Sequence, residues 1–127
     1  MIKYFTKEYI AECDCEEIQK SKHKLKYGDW VYSLGLNGEM TIWATIIPQG
    51  RKKDNNETWL PTGDQLDEEI VKICREKFYS YDFLWQYYTK ESEHYSAGIS
   101  ADNFISHPNR NGNPLIAKIK LLKELLK

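Results

Sequence analysis

The polar and apolar positions of this 127-residue chain change period along its length, and the clearest period is two. In residues 78–88 aromatic side chains fill every second position, in the order Tyr79, Tyr81, Phe83, Trp85 and Tyr87. Successive side chains of a β-strand point to opposite faces, so this alternation is typical of a strand. The pattern predicts one strand with five rings on one face. Residues 94–99 are predicted to form the return strand of a hairpin with it.

A second hairpin is predicted over residues 29–47. Two strand-like runs flank an Asn-Gly pair at 37–38, which favours a two-residue type I′ turn. Such a turn places Tyr32 opposite Trp43. Trp30, Tyr32 and Trp43 are then expected on one face, and small aliphatic side chains on the other.

Apolar residues repeat with the period of a helix in two longer segments. The first follows residues 61–64 and has a predicted buried stripe of Leu66, Ile70, Ile73 and Cys74. The second begins with Asn113 as cap and Pro114 at its first position. Its apolar face is broad, and its lysines are predicted to stay in water, namely Lys118, Lys120, Lys123 and Lys127. A short N-terminal helical segment is predicted to begin after Thr6.

Two polar segments separate these elements. Residues 20–26 contain four lysines and are predicted to be a solvated connector, with a phosphate-contacting edge as the alternative. Residues 49–58 are predicted to be a mobile polar loop without an apolar anchor before Trp59.

The predicted order is helix, two strands, helix, two strands, helix. We therefore predict an α+β fold of two helix-hairpin units, in which a four-stranded, mainly antiparallel sheet has helices packed mainly on one face. A single globular domain is expected over residues 1–127, because a chain of this length buries roughly two-thirds of its unfolded surface.

Composition limits the classes of function. The formal net charge of −1 argues against a globally basic nucleic-acid binder and against an acidic DNA mimic. An odd number of cysteines in a chain with its own core indicates free thiols and a cytoplasmic protein. No apolar run approaches the roughly 20 residues of a membrane span, so no membrane partner is expected.

The chain has few groups suited to catalysis. The loop candidates are Asp102, His107 and Arg110, an acid, a base and a cation in one short region that would suit a nucleotide-binding protein or an enzyme. Cys13, Cys15 and His23 supply three possible zinc ligands without an evident fourth, so no metal and no cofactor is predicted. Glycine-rich phosphate loops and nucleophile elbows are absent from the sequence, which makes an enzyme the less favoured hypothesis.

The aromatic rows are the better candidate for a binding surface. They comprise Trp30, Tyr32, Trp43, Tyr79, Tyr81, Phe83, Trp85 and Tyr87. If these rings lie on one shared sheet face, that face is either core, a seam for self-association or protein binding, or a stacking platform for single-stranded nucleic acid. The first two interpretations are favoured over the third.

Three patches resemble small uncharacterised proteins encoded by phages and prophages of AT-rich Gram-positive bacteria. They are residues 9–19, residues 58–66 with the core Trp-Leu-Pro-Thr, and residues 113–117. The resemblance implies a phage accessory protein in the cytoplasm of a host cell, and implies no functional residues. The hypothesis is therefore a non-catalytic protein that binds a host or phage protein, or itself as a homodimer.

Overall fold

A computed structural model describes residues 2–22, 24–88, 94–101, 104–105 and 109–127. The fold is mixed α+β, as predicted, with four α-helices and antiparallel strand pairs in that part of the chain. The chain forms two compact units. The N-terminal unit is Phe5–Thr62, and the C-terminal unit is Gly63–Lys127 together with Met1–Tyr4.

The N-terminal unit contains two short helices and five short strands. Their bounds are α1 Lys7–Cys13, α2 Glu16–Gln19, β1 Lys24–Leu25, β2 Trp30–Leu34, β3 Met40–Ala44, β4 Arg51–Lys52 and β5 Thr58–Leu60. Three of the strands form a sheet in the order β3-β2-β5, and β1 pairs with β4 as a separate two-stranded ribbon.

Helix α1 packs its buried face near β5. Thr6 is the N-cap, as predicted, and its hydroxyl accepts a hydrogen bond from the Tyr9 N–H at 3.2 Å. The Tyr9 side chain is fully buried, stacks on Phe5 and donates its hydroxyl hydrogen to the Pro61 carbonyl oxygen at 2.6 Å. Burial raises the pKa of Tyr9 far above its usual range, so the hydroxyl remains a donor.

The hairpin of β2 and β3 forms, but the predicted register is wrong by one residue. Val31, rather than Tyr32, lies opposite Trp43. Because a shift of one residue moves side chains to the other face of a sheet, Trp43 lies on the opposite face from Trp30 and Tyr32. Its indole N–H donates to the Ser33 hydroxyl at 2.8 Å on that face.

The turn explains the difference in register. A type I′ turn needs positive φ at both central residues, and Asn37 does not have it, whereas Gly38 has a φ of +82°. The chain closes instead through hydrogen bonds from Gly38 N–H to the Gly35 carbonyl and from Gly35 N–H to the Glu39 carbonyl, at 3.1 and 2.8 Å. This longer loop, with glycine in the left-handed conformation, is the second common hairpin closure.

The segment predicted as a polar loop contains strand β4, so that prediction is wrong at Arg51–Lys52. Lys24 lies opposite Lys52, and Leu25 lies opposite Arg51. Leu25 is fully buried and anchors the ribbon. The backbone before β4 turns at Gly50, which has a φ of +75°.

The C-terminal unit consists of a short 3₁₀ turn, two longer helices and four strands. Their bounds are Ile2–Tyr4, α3 Gly63–Lys77, β6 Tyr81–Tyr88, β7 His94–Ala101, β8 Phe104–Ile105, β9 Asn109–Asn111 and α4 Pro114–Leu125. Strand β7 is central, with β6 on one side and β8 and β9 on the other.

The prediction for both helices of this unit is confirmed. The predicted stripe of α3 is buried, and α4 begins at Pro114 after Asn113, whose side chain accepts from the Leu115 N–H at 2.9 Å. One lysine differs from the prediction. Lys118 is buried rather than in water, because it lies between Asp67 of α3 and Trp85 of β6.

The aromatic hairpin is also confirmed, with β6 and β7 antiparallel and Trp85 opposite Ala97. The two hairpins, however, do not form one four-stranded sheet. Strands β2 and β3 belong to the sheet of the N-terminal unit, and β6 and β7 to that of the C-terminal unit. The expectation of one shared aromatic sheet face is therefore wrong.

Candidate binding surfaces

Strand β3 is an edge strand without the usual protection against pairing. Its sequence is Met-Thr-Ile-Trp-Ala, with no charge and no proline. Among the described residues, only β2 pairs with it. Natural edge strands commonly carry lysine, proline or a bulge that prevents further pairing, and β3 has none of these.

The phase of the ladder shows which backbone groups face outward. Thr45 N–H donates to the Asp29 carbonyl at 2.8 Å, and the Glu39 carbonyl accepts from Gly35, so odd-numbered residues of β3 bond to β2. In an antiparallel pair the alternate residues direct their N–H and C=O groups to the other side. The outward groups are therefore those of Met40, Ile42 and Ala44.

Exposed apolar side chains accompany this edge. Leu34 is 63% exposed and lies directly opposite Met40, which is 50% exposed, while Leu36 at the turn is fully exposed. The same face leads into a groove of about 510 Å³ beside α1, lined in part by Ile10 and Tyr32. Adjacent exposed apolar side chains of this kind mark protein contact surfaces more often than isolated ones do.

The opposite edge of the same sheet is closed by a side chain. The Gln19 amide donates to the Trp59 carbonyl at 3.0 Å, and its oxygen accepts from the Trp59 N–H at 2.8 Å. The side-chain amide thus replaces a neighbouring strand on β5. Nothing in the sequence indicated this role, since Gln19 lies 40 positions before Trp59.

A second candidate surface is the ribbon of β1 and β4. Lys24 and Lys52 share its outer face, since residues directly opposite in a strand pair point to the same side. Leu25 and Arg51 share its inner face. The Arg51 guanidinium forms two hydrogen bonds with the Glu57 carboxylate, at 2.7 and 2.5 Å, and lies 5.2 Å from the centre of the Trp43 ring.

This ion pair makes a prediction about pH. Glu57 is buried, and the Arg51 guanidinium holds the pKa of that carboxyl below its usual range. A carboxylate with a lowered folded-state pKa contributes stability above its unfolded-state pKa of about 4.3, and this contribution is lost as the pH falls through the folded-state value. We expect the free energy of unfolding, measured by urea titration, to fall on acidification less steeply in Glu57→Gln than in the wild type.

The control for this measurement is Glu68→Gln, which removes an exposed carboxylate of α3. It should keep the steep pH dependence of the wild type. Equal slopes for Glu57→Gln and the wild type would contradict the assignment of this acid sensitivity to the Arg51 pair.

The aromatic row of β6 is partly core. Phe83 and Trp85 share a face with Ile99 and Ala97 of β7, both fully buried. The Lys118 ammonium lies 4.5 Å from the centre of the Trp85 ring, which places α4 over that face. Trp85 stays 39% exposed, and Tyr79 precedes the strand in full exposure. The side chain of Tyr87 lies outside the described part.

The predicted loop site is described only at one residue. Asp102 and His107 lie outside the described residues, and Arg110 is an exposed residue of β9.

His23, a candidate zinc ligand, also lies outside the described residues. Within the ranges that the structure describes, no three His, Cys, Asp or Glu side chains are grouped to hold a metal ion. Cys74 is buried, and burial raises the pKa of its thiol, which disfavours the nucleophilic thiolate.

The comparisons with known proteins give no relatives. No protein-family model, no curated protein and no solved structure matches the chain. Among the described helices, none has the length and apolar character to cross a bilayer.

Proposed function

We propose that the protein acts by binding rather than by catalysis, and that its first partner is a second copy of the same chain joined along β3. The open, uncharged edge of β3 carries this proposal. Addition of a strand to an exposed edge is a common mode of protein recognition, in which backbone hydrogen bonds supply affinity and side chains supply selectivity.

The edge is complementary to itself. A two-fold axis at Ile42 places Ile42 opposite its own copy and Met40 opposite Ala44 of the second copy, so the outward backbone groups meet in antiparallel register. Both pairs are apolar, and no like charges face each other. The half of Met40 that is exposed in the single chain would pack against the second copy, so hydrophobic burial adds to the backbone hydrogen bonds between the two strands.

Among the strands that the structure describes, β6 is the other edge strand that is long enough to pair. It has Asp82 at an exposed position, and a charge on an edge strand disfavours pairing with another chain. We therefore prefer β3. An origin in a phage or prophage remains a proposal that rests on the three sequence patches alone, and a host or phage protein that adds a strand to β3 is the alternative partner.

Ile42→Pro is the variant that tests this pairing. The N–H of Ile42 points outward, so proline removes no hydrogen bond to β2, but its ring blocks the edge. We expect the wild type to sediment as a dimer at a concentration on the order of 100 µM, where a micromolar complex is saturated. Ile42→Pro should sediment as a monomer.

Ile42→Thr is the matched control, because it removes the same aliphatic side chain and keeps the outward N–H. It should remain a dimer, with circular dichroism confirming that both variants are folded. A wild-type monomer at the highest concentration, or a dimer of Ile42→Pro, would show that β3 does not mediate self-association. If the wild type is a monomer and captures another protein that Ile42→Pro does not capture, a host or phage protein is the favoured partner.

A further inference from the structure

We propose that the ribbon of β1 and β4, with the adjacent end of α2, binds a compact polyphosphate group such as the phosphate chain of a nucleoside triphosphate. Lys24 and Lys52 lie directly opposite each other on its outer face. Like charges at such a position destabilise a strand pair. Among the described residues, no carboxylate forms an ion pair with either lysine. An anion bound between them relieves this repulsion.

A cavity of about 410 Å³ opens beside this pair. Four lysines line it: Lys20, Lys22, Lys52 and Lys53. The amide-bearing Asn55 also reaches its wall. A cavity of this volume is within the range of small-ligand sites.

The carboxylates near the cavity are mostly neutralised by other cations. The ion pairs are Glu16 with Lys20 at 2.7 Å, Asp29 with Lys22 at 2.9 Å, and Glu57 with Arg51. Asp14 is the further acid of the cavity wall. The charges of the cavity wall left for a ligand are those of Lys52 and of Lys53, whose ammonium also donates to the Asp54 and Glu57 carbonyl oxygens. Lys24 lies directly opposite Lys52 on the ribbon. The ribbon side of the cavity is therefore positive although the whole chain has a net charge of −1.

The distribution of charge favours a short anion over a long one. Asp14 lies on the helical side of the cavity, where its charge opposes the passage of a continuous phosphodiester strand. Lysines are flexible point charges without the fixed fork of arginine, so they suit a compact, multiply charged phosphate rather than one oriented group. The site uses no residue of the β3 edge, so it is independent of self-association.

Tripolyphosphate is the probe for the first experiment, by isothermal titration calorimetry at low ionic strength, where charges are weakly screened. We expect one site per chain. Lys52→Glu should weaken binding by about tenfold or more, because it removes one charge-assisted contact and adds a repulsive one. The same variant should not lower the melting temperature of the free protein, since it replaces a Lys–Lys pair by a Glu–Lys pair.

Lys72→Glu is the matched control, with the same change of net charge at an exposed position on α3. It should bind tripolyphosphate as the wild type does. Absence of binding by the wild type, or an equal loss in Lys72→Glu, would overturn the site. An oligothymidylate that binds more tightly than tripolyphosphate, with the same sensitivity to Lys52→Glu, would overturn the assignment of a compact phosphate ligand. Adenosine triphosphate that binds like tripolyphosphate would support a phosphate chain as the recognised group.

Discussion

Gly50→Ala is expected to lower the free energy of unfolding by about 3 kcal/mol. Gly50 has a φ of +75°, a conformation that costs an alanine about 1 kcal/mol or more. A Cβ atom at this position would also lie 2.5 Å from the Leu25 carbonyl oxygen, which is backbone of a fully buried residue and has little freedom to move. The two costs add because the first arises from the backbone conformation of residue 50 and the second from contact of the new methyl group with β1.

Gly28→Ala separates the two costs. Gly28 has a φ of +90°, but a Cβ atom there has no neighbour within 4 Å. Gly28→Ala is expected to lower the free energy of unfolding by about 1 kcal/mol, from the backbone conformation alone. Urea titration of both variants measures the difference. Equal losses would contradict the close approach of Gly50 to β1.

Asp67→Ala is expected to lower the free energy of unfolding by about 2 kcal/mol. The Lys118 ammonium lies 2.9 and 3.1 Å from the two Asp67 carboxylate oxygens, and its side chain is only 11% exposed. Removal of Asp67 leaves the Lys118 ammonium without its carboxylate partner in a position that is largely shielded from solvent. A fully buried pair would lose 3–5 kcal/mol, roughly, but Asp67 is 42% exposed, so solvent reduces the loss.

Lys118→Met should cost less than about 1 kcal/mol, because methionine replaces the aliphatic stem over Trp85 and removes the buried charge. In the Lys118→Met background, Asp67→Ala should have almost no further effect. The double-mutant cycle therefore measures the coupling between the two residues. Glu68→Ala, at an exposed position of the same helix, is the control. Additive losses for Asp67 and Lys118 would show that the pair contributes little to stability.

Local periodicity predicted the elements that contain long, regular patterns. The stripe of α3 and the alternation of β6 each repeat over several turns or pairs, so neighbouring residues support the same assignment. The start of α4 is marked instead by two adjacent residues, Asn113 and Pro114. Register in the β2–β3 hairpin depends on the loop, where a single glycine decides whether two or three residues close the turn. Both closures are compatible with Asn37 and Gly38, and the sequence favoured the wrong one.

Other features depend on partners that are distant in sequence. Lys118 looks like a surface lysine by helical position, and its burial follows from Asp67, which lies 51 residues earlier. Strand β4 has only two residues and is polar, so no sequence pattern predicts it. Its pairing with β1 is visible only in the three-dimensional structure. The same pairing turns two separate lysine-rich segments into one surface. For residues 20–26 the sequence favours a solvated connector, and the alternative of a phosphate-contacting edge stays a prediction.

The amide of Gln19 bears on how large an assembly the N-terminal unit can build. A sheet with two open edges adds copies at both ends and grows without limit, whereas a sheet with one open edge stops at a pair. Because Gln19 occupies the backbone groups of Trp59, the β3-β2-β5 sheet has one end at which another copy can join. In the proposed pairing through β3, Gln19 would limit this sheet to two copies, and loss of its side chain would leave the outer groups of β5 open to further pairing.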